Sequence, residues 1–423
     1  MAMDQLLPRR VQGAVECRLS ESPAVRLTGP RTSGKTTTCV GLVTARGGTV
    51  VSLDDLDERH AVAADPQGFL LDLPRPVLID EYQYVPEVLS VVKRAIEAPG
   101  AIGQWLLCGS ISVEAVTAAA ESLGGRLSDV RMGTLTMDER RVLPAPSFLP
   151  EVLEGGGEAF RGWRPRDRLG RDALLEESIT GGFPLVVAQR ERPGAVRRLL
   201  ADWVSAAVIS DGAAVAGVRN TQELLRMLRL YAAATAGITP KDRPTADRLQ
   251  IDRHTVARYR SLLADLHVTW DLPALVPGNA TGQVTKSPKL HLVDSGLAAH
   301  LAGRDSLAAL RRDDAAAGAL IETMVVNDLR VQAQCHDEPL RLYHYREDDR
   351  EVDLVIERAD GRVVGIEVKL ASRIDASDLK GLRRLQRSCG DRFAHGIVLA
   401  RVPAAHRVEE FTVAPLEAVW QLT

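Results

Sequence analysis

Lysine is scarce in this chain. Of 53 basic residues only Lys35, Lys93, Lys241, Lys286, Lys289, Lys369 and Lys380 are lysines, and arginine supplies the rest. A lysine inside a motif therefore carries more weight here than in a chain of ordinary composition. Cysteine is also sparse: Cys17, Cys39, Cys108, Cys335 and Cys389 are odd in number, scattered and never spaced CxxC. That excludes a disulfide framework and a cysteine zinc site, and predicts buried, reduced thiols. No apolar run is long enough to span a bilayer, and the opening MAMDQLLPRRVQ has no hydrophobic signal core. A cytoplasmic protein without a membrane partner is the expectation. Net charge is −3 with a pI near 6.3, so no global basic field advertises nucleic acid, although local patches are not excluded.

What remains is a soluble globular composition, 45% hydrophobic and 26% charged, in 423 residues, too long for one ordinary core. The most informative stretch is Ala24 to Val40, AVRLTGPRTSGKTTTCV. An apolar strand is followed by Gly29-Pro30-Arg31-Thr32-Ser33-Gly34-Lys35-Thr36-Thr37 and a helix starting near Lys35. This is the spacing G-x-x-x-x-G-K-[ST]. Gly29 and Gly34 permit backbone angles at which successive N–H groups turn toward a phosphate chain, and the helix presents its positive end to the same anion. Lys35 reaches the β and γ phosphates, and Thr36 places a hydroxyl on Mg²⁺. ATP and Mg²⁺ are the cofactors this predicts. Downstream, Pro76-Val-Leu-Ile-Asp80-Glu81 reads as a buried parallel strand whose C-terminal end faces the nucleotide. Asp80 then shares Mg²⁺ with Thr36, and Glu81 orients or deprotonates the attacking water.

Further strands are expected at Thr49 to Leu53, Trp105 to Cys108 and Val130 to Leu135. With intervening helices, including one over Glu58 to Leu71, they predict an α/β domain with a parallel sheet over residues 1–145. Ser110, at the tip of the strand beside the acidic one, reads equally as a γ-phosphate sensor or a turn residue. Arg9 and Arg10 are read as a solvated basic turn in preference to a contact with the nucleotide base. Residues 146–303 read as a helical middle domain rich in alanine and leucine. Within it, Pro244 to Ala264 has the pattern of a helix-turn-helix, its second helix at Thr255 to Ala264, with Arg253, His254, Arg258 and Arg260 making it locally basic. That segment either contacts DNA or packs as a winged-helix-like unit with a solvated face. Asp294, between a strand at Leu290 to Val293 and a helix, reads as an N-cap.

Residues 304–423 read as an α/β domain in the order αβββαβ. A helix carrying Glu322 precedes strands near Leu342 to Tyr345, Glu351 to Ile356 and Val363 to Lys369, then a helix at Asp375 to Gln386 and a strand at Gly396 to Ala400. Alternation puts Glu367 and Lys369 on one strand face, and hairpin pairing brings Asp353 beside them. Two such carboxylates can grip Mg²⁺, a lysine can activate water, and Glu322 is placed as a further ligand. The D…E-x-K pattern matches the PD-(D/E)XK nuclease fold, and its bland reading is a solvated hairpin face.

The whole layout resembles a prokaryotic family of AAA+ ATPases with a C-terminal domain of unknown function of endonuclease-like fold. The landmarks are GxRxxGKTT (Gly29 to Thr37), IDExQ followed by Pro (Ile79 to Gln83, Pro86), Gly109-Ser110, Gly125-Arg126, Gly181-Gly182-Phe183-Pro184 and Lys289-Leu290 to Leu297. His291 departs from it, standing where an aromatic residue is usual. The resemblance implies an ATPase, with Arg126 as a candidate γ-phosphate contact, either within its own chain or as a finger from a neighbouring subunit of a homo-oligomer. It supplies no physiological substrate. Two functions stand open: an ATPase whose middle and C-terminal domains bind DNA, with cleavage as an added activity, and an ATP-dependent switch whose C-terminal domain is a protein-interaction scaffold.

Overall fold

A computed structural model of the chain describes residues 7–97, 100–110, 125–154, 156–210, 212, 218, 220–278 and 280–423. Its strands fall into three sheets. The first holds β1 (Ala24–Thr28), β2 (Thr49–Ser52), β3 (Val77–Asp80), β4 (Trp105–Gly109) and β5 (Leu127–Arg131), all parallel, in the order β2-β3-β4-β1-β5. Strands this apolar must be covered on both faces. On one, Val25, Leu27, Leu78 and Leu106 pack with Val15 and Leu42 of the helices Val11–Glu21 and Lys35–Ala45. On the other, Ile79, Trp105 and Leu107 pack with Leu89 and Val92 of the helix Val88–Ala95. β5 lies three residues earlier than its sequence suggests. Met137–Arg140 is helical, and the Glu139 carboxylate accepts from Thr136 N at 3.0 Å, so the chain from Met132 on turns out of the sheet to start that helix. Asp65-Pro66 likewise divides the expected Glu58 to Leu71 helix into Leu56–Ala64 and Pro66–Leu70, because a proline cannot sit in a helix interior.

The middle region is helical and ends in a small antiparallel sheet, β6 (Gly237–Ile238), β7 (Thr269–Leu272) and β8 (Lys289–Leu292), ordered β6-β8-β7. Between β6 and β7 lie helices Asp242–Leu249 and Arg253–Asp265, joined at Gln250 in the left-handed region. This is a winged-helix arrangement. The third sheet is mixed: β9 (Arg341–Glu347), β10 (Arg350–Glu357), β11 (Val363–Val368), β12 (Phe393–Ala400), β13 (His406–Val408) and β14 (Phe411–Pro415), ordered β13-β14-β12-β11-β10-β9. The helix Lys380–Cys389 starts later than expected, and covers one face with Leu382 and Leu385. Strands β13 and β14 extend the sheet beyond the sequence reading.

The third sheet's other face is not closed within its own domain. Leu354, Ile356, Val364 and Ile366 belong to one continuous core that runs through the long helix Asp314–Gln334 into the middle helices. The segment after Pro146 also lies against the C-terminal part: Ser147 N donates to Leu422 O at 2.7 Å and Leu169 N to Glu417 Oε1 at 2.7 Å. The family-landmark glycines explain how the middle region closes. A Cβ on Gly182 would lie 2.2 Å from Leu135 O, and one on Gly296 would lie 2.6 Å from Ile179 O and Thr180 O. Asp294 caps its helix through Leu297 N at 2.8 Å and also accepts from Gly182 N at 2.6 Å. Asp294 is thus the N-cap its sequence position suggested, and a clasp as well. Among the described residues no helix is long and apolar enough to cross a membrane.

Candidate active site

β1 delivers the chain into the loop Gly29 to Gly34, and the helix that follows starts with no side-chain cap. Its first N–H groups are therefore left to whatever occupies the loop. Gly29, at φ +157°, passes so close to β5 that a Cβ would sit 2.3 Å from Met132 O, and Gly34 caps the helix at φ +98°. Thr32 is also left-handed, at φ +56°. Lys35 is buried, its Nζ donating to Pro30 O at 3.0 Å, and Ser33 Oγ is buried without a hydrogen-bond partner. Arg31 contributes its carbonyl, which accepts from Trp203 Nε1 at 2.9 Å, so a middle-domain helix touches the loop directly. Thr37 is exposed on the first helical turn.

Thr36 Oγ1 lies 2.9 Å from Asp80 Oδ2 and 3.2 Å from Oδ1. Asp80 is 3% exposed, burial holds its carboxyl above the ordinary range, and among the described residues it forms no ion pair. A buried carboxylate beside a hydroxyl and short of positive charge fits a divalent cation held between Thr36 and Asp80. The next residue, Glu81, is left-handed at φ +52°, which swings its carboxylate out of the strand. Glu81 Oε2 accepts from Ser110 Oγ at 3.1 Å and from Gln83 Nε2. Asp80, Glu81 and Ser110 thus meet at the C-terminal ends of β3 and β4, level with the loop after β1.

Arg9 and Arg10 are not solvated. Arg9 donates to Ser33 O, to Gly133 O at 2.8 Å and to Glu139 Oε2 at 3.1 Å, and Arg10 Nε pairs with Asp138 Oδ2 at 2.5 Å. They staple the N-terminal segment to the loop and to the turn after β5. Arg126 lies elsewhere. It precedes β5, whose Leu127 pairs with Ala24, so it sits at the end of the sheet opposite the loop. There it pairs with Glu97 at 3.3 Å. Within its own chain Arg126 does not reach the phosphate site, and such a role would have to cross a subunit boundary. Beside Pro30 a cavity of about 380 Å³ opens, with Arg131, His267, Trp270 and Arg330 in its wall. Burial, then Arg131, Lys35 and Arg330, push the His267 imidazole down to about 3, leaving it neutral at pH 7.

Residues 21–140 match the family described as AAA domain. The N-terminal domain is an AAA-type P-loop ATPase domain. Residues 171–308 and 317–419 match two domains of unknown function, DUF8612 and DUF4143. Two mycobacterial proteins, Rv2008c of Mycobacterium tuberculosis and Mb2031c of Mycobacterium bovis, both named uncharacterised, are each 28% identical over 357 residues, 84% of this chain and 72% of theirs. Among solved structures, the Walker-type ATPase PABY2304 of Pyrococcus abyssi aligns over 71% of this chain and 97% of its own, at 15% identity and a TM-score of 0.43.

Away from the ATPase domain, the carboxylates singled out at the C-terminus do converge, but around a lysine. Lys289 Nζ, on β8, lies 2.5 Å from Glu322 Oε1, 2.8 Å from Glu351 Oε1 and 2.9 Å from Asp353 Oδ1. Asp353 sits where the β9–β10 register slips, which turns its side chain toward β11, and its Oδ2 accepts from Val368 N at 2.9 Å. Glu367 is paired with Lys369 at 2.6 Å. Lys289, Asp353 and Glu367 are buried and Glu322, Glu351 and Lys369 partly so, and the solvated-face reading fails. Among the described residues no group of three or more His, Cys, Asp or Glu is arranged to hold a metal. Lys289 and Glu351 were missed as members of this cluster, although lysine scarcity pointed to the first. Gln83 was named only as the last residue of the IDExQ landmark, and Trp203 carried no sequence signal. The thiols are free, with Cys39, Cys108 and Cys389 buried, Cys335 half-buried and Cys17 exposed.

Proposed function

We propose that the chain hydrolyses ATP with Mg²⁺ and uses the cycle as a conformational switch. One observation carries the reading: Lys35, Thr36, Asp80, Glu81 and Ser110 converge on one glycine-lined loop. The loop amides and the helix N-terminus bind the phosphates, and Lys35 neutralises their charge. Thr36 and Asp80 would hold Mg²⁺, which supplies charge neutralisation on the phosphate oxygens. Glu81 orients and accepts a proton from the attacking water, while Ser110 and Gln83 fix where its carboxylate points.

The switch reading is favoured over a DNA-cutting one by the lysine inside the carboxylate cluster. The helix Arg253–Asp265 adds to this, since Arg260 is tied to Asp242 at 2.7 Å and Arg258 lies over the Tyr259 ring. Trp203 is the contact through which the loop's state reaches the middle helices. The test is phosphate release by the full chain with and without duplex or single-stranded DNA at low salt. Lys35→Ala is expected to abolish release, and Glu81→Gln to slow it about 10²- to 10⁴-fold while nucleotide still binds. Release unchanged in both variants would end the ATPase reading, and DNA-stimulated release with strand scission would replace the switch by the DNA-acting alternative.

A further inference from the structure

We propose that Lys289 is a resident cation that keeps divalent metal out of the C-terminal carboxylate cluster. The D…E-x-K pattern and its strand placement lead one to expect a metal there, and the geometry disagrees. Hard divalent cations are held by carboxylate oxygens gathered from several elements. Here the long helix (Glu322), β10 (Glu351, Asp353) and β11 (Glu367) bring four carboxylates into one cluster, which with the lysine in place is not arranged to hold a metal. Its centre is filled by an ammonium that is 1% exposed. Three carboxylates meet it at 2.5, 2.8 and 2.9 Å, Asp353 Oδ1 accepting a hydrogen bond and Glu322 and Glu351 standing as ion-pair partners.

One further observation supports exclusion by occupancy. Glu367, 6% exposed, turns Oε2 into the interior with no hydrogen-bond partner. Metal and lysine cannot share the centre, since the cations would stand within a few ångströms of each other in a poorly screened interior. Lys289 also comes from another part of the chain, as β8 is the central strand of the winged-helix sheet. Its neighbourhood is tied to the C-terminal sheet by hydrogen bonds: Lys286 Nζ to Arg346 O, Leu275 N to His344 O, each at 2.7 Å, and His344 N to Pro273 O at 2.9 Å.

The proposal does not rest on ATP hydrolysis, and its test uses no nucleotide. Mn²⁺ binding to the full chain is followed by electron paramagnetic resonance for wild type, Asp353→Asn, Lys289→Gln, Lys289→Arg and the double variant Lys289→Gln/Asp353→Asn. Comparison with the Asp353→Asn background cancels any Mn²⁺ at Thr36 and Asp80. Wild type and Lys289→Arg are expected to match Asp353→Asn. Lys289→Gln is expected to gain about one Mn²⁺ per chain, bound at least about tenfold more tightly, and to lose it in the double variant. Wild-type Mn²⁺ that Asp353→Asn removes would overturn the proposal, as would a folded Lys289→Gln that gains none. If circular dichroism shows Lys289→Gln unfolded, the wild-type and Lys289→Arg measurements still decide, because a metal in either contradicts a filled centre.

Discussion

Asp328 joins the long helix Asp314–Gln334 to the ATPase domain, and the joint is sensitive to pH in a calculable way. Its Oδ2 accepts from Met137 N at 2.9 Å, and the residue is 5% exposed. Burial pushes its carboxyl up to about 8; Arg140 and the Met137 amide oppose this, and Asp138 and Glu139 add to it. In the unfolded chain the same group titrates near 3.9. Between those values the folded state keeps a proton that the unfolded state has released, so the slope of stability with pH is negative. The contribution is full below about pH 4 and falls by about 1.4 kcal/mol per pH unit until the folded group ionises near pH 8. The upper bound is roughly 6 kcal/mol, and relaxation around the carboxylate brings the expected loss over the whole range to about 4 kcal/mol. Asp328→Asn keeps an oxygen for Met137 N and cannot ionise. The variant should therefore gain about 3 kcal/mol relative to wild type between pH 5 and pH 8.5. The assay is chemical denaturation at both pH values, read by tryptophan fluorescence, since Trp270 donates to the neighbouring Asn327 Oδ1 at 2.9 Å. A wild-type-to-variant difference that stays constant within about 0.5 kcal/mol across this range would refute a protonated Asp328.

Other perturbations have equally definite outcomes. Gly182→Ala drives a Cβ into the Leu135 backbone and should lower stability by more than about 2 kcal/mol in a thermal melt, whereas Gly318→Ala, with open space around its Cα, should be neutral or stabilising by up to about 1 kcal/mol. Gly29→Ala should abolish nucleotide binding in an equilibrium titration, because Met132 O cannot retreat without moving β5. Trp203→Phe removes the hydrogen bond to Arg31 O but keeps a ring beside Phe183, now at 4.8 Å. It should cost about 1 kcal/mol, read as roughly fivefold weaker nucleotide affinity; an unchanged affinity would remove the middle domain from the loop's control.

Local chemistry was legible wherever a motif combines with the period of its element. The glycine loop, the Asp80 strand, the Asp294 cap and the αβββαβ order from the long helix to β12 all follow from residues close together in the chain. Long-range partnership was not legible. Nothing local to Arg9 announces Ser33 and Glu139, 24 and 130 residues away, and Trp203 looks like any core indole until its N–H is found on a loop carbonyl 172 residues earlier. The C-terminal carboxylates show the same limit more sharply. Spacing brought Asp353 and Glu367 together correctly, but their charge balance depends on Lys289, 64 residues before Asp353 and in a different sheet. His291 belongs with these: it is buried and stacked on Trp270 at 5.2 Å, a partner 21 residues earlier.

The position of Lys289 has a practical corollary for anyone dissecting the chain. A fragment cut at the start of the C-terminal region keeps the carboxylates and discards the ammonium they enclose. On the proposal above, such a piece would bind divalent ions that the intact molecule excludes. Activities measured on it would describe the cut, and only the undivided polypeptide would report on the protein.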